Sequence, residues 1–473
     1  MNGMKRKILS AATILMLPVL FLMFGPVSTV LAQGAPIKVG VIATMPHPVL
    51  KSGAQAVELA VKGLNASGGL LGRQVELIQE DSRGQVPVAV EKYRKLVMVD
   101  KVAMVVVAEG GAITIACQRA GADLFGEYPH IMMNAGASAE DLPKRVREDY
   151  NAYKFFFNLY TTGPDRLLYG AQVHTFMIEK QIKPRITKVA ILGEDIPDYR
   201  PYWDGWPEYG IPPYPEVVYK SRGIEVVYTA KISVGEKMFM PIFEKIAASG
   251  AQYIDFHMSA YSDFVILAKQ WAESPAKDIP MMHSGVTPKY WEATGGACLG
   301  IIGTWPSDWL DIEIVGKTRD YLKAFRTAYG YSGSNWMAMG AYDSAVFWAE
   351  AVRNGKTADA RALIAILEKL EAPTVRGVMK VNVKDHTSHT YPYVGALVKE
   401  SVDVVAKGGS LMDLYKKFKL FPYGQYPYGP IAPFAQWQDG GKLVSLYPPE
   451  VAKKTNPGKG YVSPKELRER AKK

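Results

Sequence analysis

The sequence predicts an α/β protein of two lobes, each a parallel sheet wrapped by helices. Three observations carry that prediction. Strand-like and helix-like hydrophobic patterns alternate four times between Ile37 and Asn134, and the rhythm restarts after Leu167. One strand, running through Val102, Met104, Val105, Val106 and Val107, has the unbroken apolar run of a strand buried on both faces. The strands of the first half end in small or polar residues, which makes that edge of the sheet the rim of a cleft.

The elements follow in order. Ile37 to Ile42 is a strand that ends at the proline-punctuated loop Ala43 to Pro48. Val57, Ala60, Val61 and Leu64 lie at helical spacing, and Asn65-Ala66-Ser67-Gly68-Gly69 supplies a glycine stop. Gln74 to Ile78 is the second strand, with Glu80-Asp81-Ser82 at its end. Pro87 opens a helix to Val99, in the first turn where its missing N–H is harmless. The valine strand then stops at Glu109-Gly110-Gly111 and Ala112 begins a helix. Glycines there let backbone approach a ligand, and a helix start offers unpaired N–H groups to an anion. Glu109 would repel an anion or hold a cation. The plain alternative is a strand–helix turn with structural glycines only. Ile131 to Asn134 ends in Ala135-Gly136-Ala137-Ser138.

Phe155 to Leu159 reads as a strand crossing between lobes. The second lobe takes a helix over 167–181, strands at Lys188 to Leu192, Ile224 to Tyr228, Tyr253 to His257 and Pro280 to His283, and helices at 239–248 and 264–271. Tyr199 to Tyr219 is crowded with Tyr, Trp and Pro; it suits either a lid with stacking aromatics or a loop packed on itself. Gly300 to Trp305 is a strand crossing back. Helices over 315–329, 339–353 and 360–370 are assigned to the first lobe. Strands at Gly377 to Val381 and Tyr393 to Val398 return to the second. A strand–turn–strand follows around Gln436 to Lys442, and the polar tail from Lys453 is expected on the surface.

At 473 residues, 48% hydrophobic and 22% charged, the chain has material for two or three full cores. The net charge of +10 includes Lys5, Arg6 and Lys7, which head a secretory signal peptide: an apolar stretch to Phe24, then Val30-Leu31-Ala32 as a cleavage site, cut after Ala32. The remaining excess, roughly +7, is scattered, which argues for solubility and against nucleic acid. Cys117 and Cys298 could pair in an oxidising compartment; two separate buried thiols is the preferred expectation. The seven histidines are dispersed, and no Cys/His spacing suggests a metal site.

Several of these stretches recur in one order in a known family: Ile37 to Ile42, Leu64-Asn65-Ala66-Ser67-Gly68-Gly69-Leu70-Leu71-Gly72-Arg73, the Glu109 loop, Ala135 to Ser138, Tyr342-Asp343-Ser344-Ala345, and Gln436-Trp437-Gln438-Asp439-Gly440. The chain resembles the type I periplasmic binding proteins of the leucine/isoleucine/valine branch, over roughly 36 to 448 with insertions near 199–220 and 401–430. The resemblance implies two Rossmann-like lobes on a multi-strand hinge, closing on a small molecule. It implies lobes of 33–155 plus 302–375 and 156–301 plus 376–448, with a tail at 449–473. It implies that Gly111, Ala112, Ala137 and Ser138 of the first lobe face a ligand carboxylate, and that Tyr199, Tyr261 and Ser284 line the second. Two positions depart from the amino-acid binders: Ser284 stands where an acidic residue would hold an ammonium, and Ser52 where an aromatic lines the first loop. Glu109 could restore the negative charge; otherwise the ligand is an aromatic acid, an amide or another small carboxylate.

The function implied is that of the substrate-binding component of an ABC importer: periplasmic, monomeric, without cofactor or metal, handing a small polar ligand to the membrane subunits of a permease. A ligand-sensing module for a signalling partner is the alternative. An enzyme is disfavoured, because the sequence has no Gly-x-Ser-x-Gly elbow, no zinc motif, no phosphate loop and no dinucleotide fingerprint after its first strand.

Overall fold

The computed structural model describes residues 34–160, 173–205, 212–259, 262–283, 289–304, 316–388, 434–447 and 457–472, with 404, 407 and 452–453 besides. The signal segment and the strand expected at 393–398 lie outside these residues, as do parts of the 199–219 and 401–430 insertions.

Two sheets organise the chain. The first holds β1 (Ile37–Ala43), β2 (Val75–Asp81), β3 (Met104–Ala108), β4 (Ile131–Asn134) and β5 (Phe156–Asn158) in the order β2-β1-β3-β4-β5. All its pairs are parallel. The valine strand β3 lies mid-sheet, hydrogen-bonded to β1 and β4, and all five of its residues are buried. Helices on both faces explain why it needs no polar alternation. The chain order reverses between β1 and β3, the place where sheets of this kind open a ligand crevice.

The helices follow from local signals. Pro48 opens α1 (Pro48–Ala66), and His47 Nδ1 accepts the Leu50 N–H at its cap. The Gly68-Gly69 stop is obligatory: Gly69 sits at φ +80°, and a Cβ there would lie 2.0 Å from the Arg73 carbonyl oxygen. The first core also takes α2 (Val86–Arg94), α3 (Gly111–Leu124) and α4 (Asp141–Glu148). Buried residues from three helices far along the chain complete it.

The second sheet has the order β14-β13-β10-β9-β8-β6-β7. Its parallel part is β6 (Lys188–Glu194), β7 (Glu225–Ile232), β8 (Ile254–His257), β9 (Met281–His283) and β10 (Ile302–Thr304). It carries α5 (Met240–Ala248) and α6 (Phe264–Glu273). The chain then returns to the first lobe for α7 (Gly316–Tyr329), α8 (Trp336–Gly355) and α9 (Ala360–Leu367), as their amphipathic spacing led us to expect. Two antiparallel strands, β13 (Phe434–Gln438) and β14 (Lys442–Tyr447), close the second sheet.

Three expectations change, and one open alternative narrows. Phe156–Asn158 is an edge strand of the first sheet, paired with β4, because its three side chains are buried in that lobe's core. Gly377 to Val381 does not return to the second sheet. β11 (Ala372–Thr374) and β12 (Gly377–Met379) form their own hairpin, and Met379 and Val381 bury in the first core. The boundaries expected at 156 and 376 therefore fall inside first-lobe structure. The tail is docked as well: Leu467 is fully buried, and Gln436 Nε2 donates to the Val462 carbonyl at 2.7 Å. Of the two readings of the aromatic insertion, its described part favours the packed loop, with Tyr199, Tyr202, Tyr214 and Tyr219 all buried in the second core.

Candidate functional site

The first lobe presents its strand ends as loops. Asn134, the last residue of β4, shapes one of them. Its Oδ1 accepts the N–H of Gly136 (3.1 Å) and Ala137 (2.9 Å), and its Nδ2 donates to the Ala137 carbonyl (2.7 Å). Ala137 is thus held through both its backbone groups. The next N–H, that of Ser138, points away from this knot. Gly111 supplies a second N–H, at the first turn of α3, where the helix dipole favours an anion.

One carboxylate joins the two. Asp198, in the turn Pro197–Tyr199 after β6 of the second lobe, accepts the Gly111 N–H at Oδ2 (3.0 Å) and the Ser138 N–H at Oδ1 (2.6 Å). The contact is close enough to require glycine: a Cβ on Gly111 would fall 2.2 Å from Asp198 Oδ2. All three residues are buried. A charge-assisted bond of this type contributes about 1.5–3 kcal/mol. The sequence pointed to both loops, with Ser138 expected to act through its hydroxyl rather than its N–H, and it did not point to Asp198. A lone aspartate in a Pro-Asp-Tyr turn has no distinguishing pattern.

The other expected residues separate. Glu109 is fully buried inside the first lobe; its carboxylate accepts the hydroxyls of Thr44 (3.0 Å) and Ser82 (2.5 Å), which end β1 and β2. Ala112 is exposed on α3. Tyr199 is fully buried, its hydroxyl donating to the Met258 carbonyl and its ring against Tyr202 and His257. Tyr261 and Ser284 lie outside the described residues. Ser52, matched to the aromatic of amino-acid binders, is buried where α1 meets α8, 3.1 Å from Asn335 Nδ2.

Charge at the rim is tuned by burial. His47 is pushed down to about 4 by desolvation, with Asp263 of the second lobe pulling partly upward. Behind the site, Arg376 pairs with Asp343 of α8 (2.5 Å) and donates to the Leu159 carbonyl (2.8 Å), just past β5. Burial nevertheless leaves the Asp343 carboxyl above its ordinary range. Cys117 and Cys298 are separate, free and buried, as expected, and burial pushes both thiols up.

The sequence also hid a cluster in the second lobe. His174, Asp255 and His257, dispersed along the chain, converge within 4.8 Å at their ligating atoms. Asp255 and His257 are two apart on β8 and so share a face of the strand, which is the one sequence signal that could have found them.

Solved structures of like fold come from several bacteria. A protein described as a branched-chain amino acid ABC transporter from Silicibacter pomeroyi shares 17% identity, with 91% of this chain and 99% of that one covered, at a TM-score of 0.62. A solute-binding protein of an R. palustris ABC transporter, in complex with benzoate, shares 16% identity over 87% and 95%, at 0.61. The branched-chain amino acid substrate-binding protein LivJ of Streptococcus pneumoniae, in complex with isoleucine, shares 18% over 75% and 93%, at 0.59. At these identities the likeness is one of fold. No curated protein matches the sequence. Among the described residues no helix is long and apolar enough to cross a membrane. The family profile described as Periplasmic binding protein matches residues 36–401. With one parallel and one largely parallel sheet, strand ends that turn in small-residue loops and that match over most of its length, the chain belongs to the periplasmic binding protein family and has its type I fold.

Proposed function

We propose that this chain is the extracytoplasmic substrate-binding component of an ABC importer, and that its ligand is a small carboxylate held by the N–H groups of Gly111 and Ser138. The observation that carries the ligand class is Asp198. The two N–H groups already embrace a carboxylate, and it belongs to the protein. An incoming ligand carboxylate takes the place of that side chain, and the lobes shut on the ligand by hinge closure. Branched-chain amino acids, aromatic acids and other small acids are the candidates; Glu109, committed to Thr44 and Ser82, is a poor partner for a ligand ammonium, which favours acids without one. Export through a signal peptide cut after Ala32, a monomeric state and delivery to permease membrane subunits complete the reading. Family membership supports a binding role over catalysis.

Calorimetric titration of the mature protein with leucine, isoleucine, benzoate, a dicarboxylate and the matching amides tests this. We expect at least one acid to bind, its amide to bind far more weakly, and Asp198→Ala to tighten the acid by removing its competitor. Amides binding as well as acids, or Asp198→Ala leaving acid affinity unchanged, would overturn the carboxylate reading. Genes for a histidine kinase beside this one, in place of permease and ATPase genes, would favour the sensory alternative.

A further inference from the structure

We propose that His174, Asp255 and His257 form a buried site for one divalent transition-metal ion of the zinc class, in the second lobe behind the turn that carries Asp198. Three independent observations support it.

The first is convergence without hydrogen bonding. Asp255 Oδ1 lies 3.1 Å from His174 Nε2 and 2.8 Å from His257 Nε2. Yet Asp255 Oδ1 and His257 Nε2, both buried, make no hydrogen bond of acceptable geometry. Atoms that approach this closely while misaligned for hydrogen bonding are arranged as ligands around a common centre. A metal with bonds of about 2.0–2.2 Å places neighbouring ligand atoms roughly 2.8–3.5 Å apart.

The second is the make-up of the cluster. Asp255 is fully buried with the His174 and His257 rings beside it, and no Lys or Arg pairs with it among the described residues. A divalent cation at their focus would supply the positive charge that a buried carboxylate needs.

The third is the outer support that metal ligands require. The second oxygen of Asp255 accepts the Tyr219 hydroxyl at 2.6 Å. The second ring nitrogen of His174 lies 2.9 Å from the Tyr253 hydroxyl, which fixes Nε2 as the inward atom. Tyr202 covers the His257 ring at 3.9 Å between centroids, and Tyr214 approaches it at 5.1 Å. The Tyr214 hydroxyl is itself buried without a hydrogen bond of acceptable geometry. Two imidazoles and one carboxylate suit zinc and its neighbours, and not the all-oxygen preference of calcium or magnesium.

Such an ion would brace the end of β8. The Met258 carbonyl, one residue beyond His257, accepts the Tyr199 hydroxyl, and Tyr199 adjoins Asp198. The site is separate from the Gly111 and Ser138 donors, so it stands or falls apart from the ligand reading.

The test uses the mature chain, stripped with EDTA, dialysed and titrated with zinc chloride, with cobalt chloride as a spectroscopic probe. We expect one ion per chain, a raised melting temperature, and cobalt absorption bands of a low-coordinate nitrogen/oxygen site. His257→Gln should weaken zinc at least about 100-fold, and Tyr219→Phe and Tyr253→Phe, which leave all three ligands in place, about 10- to 100-fold. Absence of stoichiometric binding to the unsubstituted chain would overturn the proposal. So would zinc bound equally well by folded His257→Gln, or by both tyrosine variants, since the ion would then sit elsewhere.

Discussion

The loops that hold Gly111 and Ser138 were legible because small residues after a buried strand have a physical reason to be there; Ser138 itself was singled out through the family resemblance, for its hydroxyl, whereas in the structure its N–H meets Asp198. Asp198 was not legible. Its role depends on a contact between lobes, and the aromatic neighbour Tyr199 drew the eye although it turns inward to Met258. Glu109 illustrates the opposite error. Its charge was visible, but the hydroxyls of Thr44 and Ser82 that absorb it come from two other strands. A prediction at this scale concerns His130, buried between Tyr93 and Phe155, with one ring nitrogen 2.6 Å from the Tyr93 hydroxyl and the other 2.7 Å from the Tyr128 carbonyl. Burial lowers its pKa from 6.5 to about 4. The unfolded chain therefore binds the proton first as pH falls, so stability is intact above 6.5 and drains away toward 4. At 1.36 kcal/mol per pH unit, the loss reaches on the order of 3 kcal/mol. Melting curves from pH 7 to 4 should show a shallower decline for His130→Gln than for the unsubstituted chain; equal slopes would mean that His130 takes up its proton at the same pH folded and unfolded.

Among elements, strand β3 and the long helices were read correctly because each repeats one signal many times over. Short elements with a single signal were misassigned. β12 has three residues, and nothing in Gly377-Val378-Met379 says which core its methionine enters. The loop after β4 is the element that presents the Ser138 N–H, and Asn134 is its keystone, donating also to Asn158 Oδ1 of β5 at 2.7 Å. Replacing it with alanine strands the buried N–H of Ala137 and the partly buried N–H of Gly136. Asn134→Ala should destabilise the fold by about 1–3 kcal/mol in chemical denaturation. It should also weaken the acid found by titration, because the Ser138 N–H loses its fixed direction. Asn134→Asp keeps the acceptor oxygen but turns a second oxygen toward the Ala137 carbonyl and Asn158 Oδ1, so it should recover little of the stability and should repel an anionic ligand. Equal acid affinity in both variants would show that the loop needs no such anchor.

For the whole molecule, the repeated rhythm announced two lobes, but no local pattern could give the strand order or the late return of the chain to the first core. That return is secured by Arg376, whose guanidinium reaches Asp343 on α8 and the Leu159 carbonyl at the chain's exit from the first sheet. Arg376→Met leaves a buried carboxylate unpaired and should reduce stability by about 3–5 kcal/mol, whereas adding Asp343→Leu should recover most of it. Thermal melts of the single and double variants decide this; a double variant no better than the single would mean the guanidinium is needed for Leu159 instead. The link from Asp198 to the opposite lobe carries a last consequence, for transport as a rate. On the proposed binding mode, a side chain tethered beside its two donors acts as a resident rival at millimolar effective concentration, which an incoming acid must evict. Half-saturation would then move to a higher concentration of acid, and a single substitution in that turn would reset it.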